Sequence, residues 1–133
     1  MLLIDAANVI GSQPTGWWRD RAGAARQFVE QLREAAKDGR IPVPAVVVLE
    51  GAARAGAAEE DIGGVRVVHA THDGDDALVE QAATATAGVV LVSADRRLHE
   101  RVRRMGAETV GPRWLIDRVR LDRQQGDGGC QLP

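Results

Sequence analysis

Four short and almost uninterrupted aliphatic runs punctuate the chain: Leu2-Leu3-Ile4, Val43 to Leu49, Val65 to His69 and Val89 to Val92. A strand with one wet face alternates apolar and polar residues, so runs this apolar predict strands covered on both faces, as in a parallel sheet. Segments with helical spacing lie between them. From Asp20 to Asp38, residues Ala24, Ala25, Phe28, Val29, Leu32 and Ala35-Ala36 recur at three and four, and Gly39 stops the helix. Ala77, Leu78, Gln81, Ala82 and Ala85 give the inner face of a second helix, capped by Asp75 or Asp76 and running through Thr86. A basic helix turns Leu98, Val102 and Met105 inward and ends at Gly106. Pro112 starts a last helix with Trp114, Leu115, Ile116 and Val119. Ala107 to Val110 fits a fifth, short edge strand. Gly51 to Gly64 has no clear period and reads as a mobile loop.

Strands alternating with helices predict an α/β domain, a three-layer α/β/α sandwich around a central, mainly parallel five-stranded sheet. The expected domain spans residues 1–123, and the Gly- and Gln-rich segment 124–133 reads as a disordered tail. With three Trp, one Phe and no Tyr among 133 residues, the core has to be built from Val, Leu, Ile and Ala. No apolar run approaches the roughly 20 residues that cross a bilayer. No basic-then-apolar leader precedes the first strand, and the single cysteine, Cys130, has no partner. The expectation is a cytoplasmic setting without membrane attachment.

Open parallel sheets bind ligands outside the carboxyl ends of their strands. Asp5 follows the first strand directly, Asp73, Asp75 and Asp76 follow the third after a short loop, and Ser93 and Asp95 follow the fourth. Acids distant in sequence therefore converge on one rim. Gathered carboxylates repel, so the rim calls for cations, and all-oxygen donors favour Mg²⁺ or Mn²⁺. Each acid also has a plainer reading: Asp75, Asp76 and Asp95 can cap helices, whereas a carboxylate straight after a buried strand has little structural purpose. Asn8 can steady the Asp5 loop, and Asp73 and Glu50 are second-rank candidates. His69, His72 and His99 lack zinc spacing.

Net charge is −2, yet from Arg96 to Arg123 nine arginines face four acids, a local excess of +5. A basic flank beside a separate acidic focus suits an anionic ligand held next to metal ions. Arg19, Arg21, Arg96 and Arg97 flank the strand ends and are candidates for phosphate contacts. Trp17 and Trp18 are candidates for stacking on a single-stranded base, with packing the plainer alternative for at least one of them.

The segment Leu3-Ile4-Asp5-Ala6-Ala7-Asn8-Val9-Ile10 resembles the opening Asp-x-x-Asn-Val/Ile signature of NYN-domain ribonucleases, the PIN-like family that includes the YacP proteins. Gly74-Asp75-Asp76-Ala77 resembles the family's second acidic motif and Val92-Ser93-Ala94-Asp95-Arg96 its Ser/Thr-x-Asp motif. Gly16-Trp17-Trp18-Arg19-Asp20-Arg21 resembles a block of small bacterial members. The match runs from about Leu2 to Val119. It implies a PIN-like fold and cleavage of single-stranded or structured RNA dependent on Mg²⁺ or Mn²⁺. Asp5, Asp76 and Asp95 would then be the metal-binding acids, Asp75 an additional ligand or helix cap, and Asn8 and Ser93 supporting polar groups. A further acid usual in PIN-type sites has no clear counterpart beyond Asp20 or Glu50.

Other α/β functions fit less well. A phosphoacceptor receiver domain needs a lysine after its last strand, and the only lysine is Lys37, in the first helix. A dinucleotide-binding module needs a Gly-rich turn where Asp5-Ala6-Ala7-Asn8 stands. The alternative that remains is a non-catalytic RNA- or protein-binding domain on the same fold.

Overall fold

The computed structural model describes residues 1–86 and 88–120. The tail expected over 124–133, with Cys130, lies outside the described residues. In chain order the elements are β1 (Leu2–Asp5), α1 (Ala6–Gly11), α2 (Arg21–Lys37), β2 (Ala45–Leu49), β3 (Asp61–Ile62), β4 (Val65–His69), α3 (Gly74–Thr84), β5 (Val90–Val92), α4 (Arg96–Arg103), β6 (Glu108–Val110) and α5 (112–120). Short 3₁₀ helices occupy Trp17–Arg19 and Gly51–Gly56.

The strands form one sheet in the order β3-β4-β2-β1-β5-β6. Every pairing is parallel except β3 with β4. The sheet has six strands rather than the expected five. The extra one, β3, is two residues long, exposed and antiparallel at the edge, so it carries none of the apolar signal of a buried strand. β1 and β2 are buried at every position, as their unbroken aliphatic sequences require.

Side chains alternate along each strand and divide the core in two. Leu2, Ile4, Ala45, Val47, Leu49, Val65 and Val67 face α2 and α5 through Phe28, Val29, Leu32, Leu115 and Val119. Leu3, Val46, Val48 and Leu91 face α3 and α4 through Leu78, Ala82, Leu98 and Val102. These are the two helical layers of an α/β/α sandwich. Arg40 ties the first layer together, donating from Nη1 to the backbone oxygens of Arg118 and Val119 at 2.7 and 3.1 Å.

α2 begins under the Asp20 carboxylate, which accepts from the Gly23 N–H at 2.8 Å, and stops at Gly39, whose φ of 74° suits a residue without Cβ. Four local expectations change. Gly51 to Gly64, read as a mobile loop, carries the 3₁₀ helix Gly51–Gly56, which packs closely on α2 at Gly56, and the edge strand β3. The chain forms the six-residue helix α1 where a loop was expected beyond Asp5. Asp73, not Asp75 or Asp76, caps α3. Met105 lies past the end of α4 and is 47% exposed instead of turned inward. Among the described residues, no helix is long and apolar enough to cross a membrane.

Candidate active site

The two halves of the sheet diverge from β1: the chain moves outward through β2 and β4, then returns to the other side of β1 as β5. In open α/β sheets the crevice at such a reversal is where ligands bind. Here the carboxyl ends of β1 and β5 carry Asp5 and Ser93, the only buried polar or charged side chains among the described residues.

These residues hold one another. The Ser93 hydroxyl donates to Asp5 Oδ2 at 2.9 Å and accepts from the Asp95 N–H at 3.1 Å. Asp5 Oδ1 accepts from the Asn8 N–H at 3.3 Å and so caps α1, a structural purpose that its place after a buried strand did not suggest. Asn8 Oδ1 accepts from the Ala94 N–H at 2.8 Å. Asp95 caps α4, its Oδ1 accepting from the Arg97 and Leu98 N–H groups at 3.0 and 3.3 Å. The His99 ring lies against the Ser93 carbonyl. The β1–α1 and β5–α4 junctions are thereby laced together by short polar side chains.

A second pair of junctions adds its acids. Glu50 follows β2 and its Oε2 accepts from the Gly74 N–H at 2.6 Å, at the first residue of α3. A Cβ on Gly74 would stand 3.0 Å from that oxygen, so glycine permits the approach. Burial pushes the Asp5 carboxyl up from its ordinary 3.8 to about 6; the Ser93 and Asn8 hydrogen bonds pull it back, and the charges of Asp75 and Glu50 add to the rise. Asp75 is raised as well, by burial first and then by Asp95, Asp73 and Glu50, with Arg101 opposing. Five acids are thus linked electrostatically through Asp5 and Asp75: these two with Glu50, Asp73 and Asp95, of which Asp73 is the cap of α3.

Asp76 has a different setting. It is exposed and pairs with Arg101 at 3.2 Å, because one step along α3 turns a side chain by about 100°. Glu50, a second-rank candidate in sequence, stands among the acids instead. The signal was available: it too follows a parallel strand directly. Asp20 is occupied as the α2 cap. The ring of His69 reaches the Ala57 carbonyl at 2.6 Å and the His69 backbone N–H donates to Glu59 Oε2 at 2.9 Å, so it is structural.

Beside the acids lies a cleft of about 520 Å³ that Glu50 and Asp73 help to line. Trp17 and Arg21 form part of its wall, with the Arg21 guanidinium 5.4 Å from the Trp17 ring centre. Trp18 is 56% exposed, edge-on to Trp17, with Arg19 5.9 Å from its ring. Arg96 and Arg97 are exposed in the first turn of α4, and among the described residues neither enters an ion pair. Trp114 packs partly buried against the core, under the Arg118 guanidinium at 3.9 Å.

Among the described residues, no three acid, His or Cys side chains already stand together as a metal cage. The donor set nonetheless fits a hard divalent ion. Mg²⁺ keeps most of its water and takes one or two carboxylates plus substrate phosphate, so it needs no all-protein cage. Burial, and after it the repulsion among the acids, raises Asp5 and Asp75, and a bound cation would relieve both costs.

No protein-family model and no curated protein sequence matches the chain. Solved structures do. One crystal structure of Rae1 (YacP) from Bacillus subtilis superposes with a TM-score of 0.68 at 15% identity, covering 98% of this chain and 79% of that one. A second, of a single-substitution variant of the same protein, gives 0.64 at 17% identity over 93% and 77%. The chain has the PIN-like α/β fold of the YacP protein, the group whose motifs its own sequence resembles.

Proposed function

We propose that the chain is a ribonuclease that hydrolyses RNA phosphodiester bonds at the rim formed by Asp5, Glu50, Asp75 and Asp95, with Mg²⁺ or Mn²⁺ as its ion. The observation that carries this reading is the Asp5 carboxylate: buried at the end of the central strand, and pushed up by that burial first and by the charges of Asp75 and Glu50 in addition. Burial there penalises the charged carboxylate by more than the Ser93 and Asn8 hydrogen bonds return. A bound divalent ion would supply neutralising charge and Lewis-acid activation of the phosphate and of the attacking water.

The chain's own groups divide the remaining work. Ser93 and Asn8 fix the Asp5 and Asp95 junctions relative to each other and keep the Asp5 carboxylate aimed and ionisable. Arg96 and Arg97 supply positive charge for the phosphates on one flank, and Arg19 and Arg21 on the other. Contacts of this kind hold the backbone without reading sequence. Trp17 offers an aromatic face to a base. Asp76, engaged with Arg101, is placed outside the ion's ligand set. A reducing, cytoplasmic setting belongs to the same proposal, as the ordinary location of RNA.

The test is cleavage of labelled single-stranded and hairpin RNA by the purified protein. The expected result is cleavage in Mg²⁺ or Mn²⁺, loss in EDTA, and loss in Asp5→Asn. RNA bound but left intact in both ions would sink the enzyme reading in favour of a binding domain.

A further inference from the structure

We infer that the cleft between Trp17 and the Gly51–Gly56 turn is a subsite for one unstacked nucleobase of the RNA strand, next to the phosphate to be cut. The inference rests on the reading of the adjoining acidic rim as a ribonuclease site.

The cleft is a built feature of the fold. Its floor is apolar, made by Ile10 of α1, Ala24 of α2 and Ala53 of the 3₁₀ turn. The turn is pressed onto α2 at Gly56, where a Cβ would meet the Ala22 carbonyl oxygen at 2.2 Å, so this wall is fixed by backbone packing. On the opposite side Trp17 rests against α1, its ring 3.5 Å from where a Cβ on Gly11 would lie. Arg21 and Trp18 brace the same indole. A rigid aromatic wall faces a floor of small side chains.

Size, position and charge choose the occupant. A volume of about 520 Å³ falls within the roughly 300–1,000 Å³ of small-ligand sites. Glu50 belongs both to the cleft and to the acid cluster, so an occupant lies within one side chain of the place where the phosphate must sit. An occupant must therefore be flat and apolar on its faces and attached to an anionic backbone that crosses the rim. Arg21 at the wall suits that backbone and adds a planar cation to the stack. A nucleobase meets each requirement. Binding one base in this way requires the RNA to be single-stranded at the cut, because a paired base cannot leave its stack without cost.

The experiment measures binding of a short labelled RNA in Ca²⁺, with one ribose made abasic at each position in turn. The expected result is that a single abasic position weakens binding by about tenfold, the scale of one lost base stack, while the others change it little. In Ala53→Leu, which fills the floor, binding of the intact RNA falls by a similar factor and the abasic penalty disappears. Should Ala53→Leu not fold, Ala7→Leu, at an exposed position lining the same cleft, carries the same expectation. Equal losses at every position, or an unchanged affinity in a folded filled-cleft variant, overturn the subsite. Cleavage assayed separately in Mg²⁺ and Mn²⁺ keeps the two readings apart: a base effect without cleavage leaves the subsite and removes the ribonuclease, and cleavage without a base effect does the reverse.

Discussion

Ser93 donates its hydroxyl proton to Asp5 Oδ2 at 2.9 Å although 88 residues separate the two in sequence. The bond is buried, closes the joint between the two halves of the sheet, and is charge-assisted whenever Asp5 is ionised. Ser93→Ala leaves a buried carboxylate oxygen and the Asp95 N–H without their partner. The expected cost is about 1–3 kcal/mol at pH 7, read from urea denaturation. Carboxyl titration by NMR should show Asp5 moving further up, since the hydroxyl favours its charged form. Ser93→Thr, which keeps the hydroxyl, should restore most of both.

Asp5 also makes the fold pH-dependent. In the folded protein it titrates near 6, against 3.8 for the free side chain. Between those values the folded state holds a proton that the unfolded chain has released, so this contribution is complete below about pH 4, declines as pH rises through 6, and is constant above. Its total is on the order of 3 kcal/mol. In EDTA, Asp5→Asn should abolish the decline and be the more stable protein at pH 7. Thermal unfolding of the pair from pH 3.5 to 8 checks this, and an Asn variant less stable than the parent at pH 7 contradicts it.

Asp75 and Asp76 are neighbours with different expected phenotypes. Asp75→Asn should lower kcat/KM for RNA by about 100-fold or more and remove the rise in Tm that Mn²⁺ gives the parent at pH 7.5. Asp76→Asn should keep both, because it loses only an exposed pair with Arg101, worth about 0–1 kcal/mol. The opposite ranking of the two variants would return Asp76 to the ligand set. At pH 5, where protons compete for Asp5, the Mn²⁺ effect on Tm should shrink even in the parent.

Gly56 is the seam of the cleft wall. A methyl group there meets the Ala22 carbonyl oxygen and the Arg26 nitrogen at 2.2 and 2.9 Å, both of them backbone atoms that cannot swing away. Gly56→Ala should therefore destabilise the protein by about 1–3 kcal/mol and speed hydrogen exchange in residues 51–56, leaving the β-sheet amides protected. Unchanged exchange in that turn would show that the wall is not held at this point.

The central strands were legible because burial on both faces leaves no room for polar residues: Leu2-Leu3-Ile4 and Ala45 to Leu49 say so at every position. β3 was not, since two exposed edge residues carry no such constraint. α1 was hidden for another reason. Its six residues follow a strand without a break, and its cap is Asp5, a side chain that also serves the rim. The same ambiguity runs through the site. Sequence order located the acids at the carboxyl edge, because topology alone puts them there. It did not reveal that Asp76 pairs with Arg101 or that Glu50 meets Gly74, since these depend on helix phase and on a contact across 24 residues.

Of the sheet's strands, the one made first is placed in its interior, between β2 and β5. One flank of β1 can be filled once residue 49 has been made, and the other only after residues 90–92. A nascent chain that ends before residue 90 therefore owns Asp5 and Glu50 yet lacks the Ser93 hydroxyl that holds Asp5 Oδ2. Vectorial synthesis makes the joint at Ser93 the late, non-local step of folding, and it delays assembly of the complete acid cluster until nearly all of the domain exists to hold it.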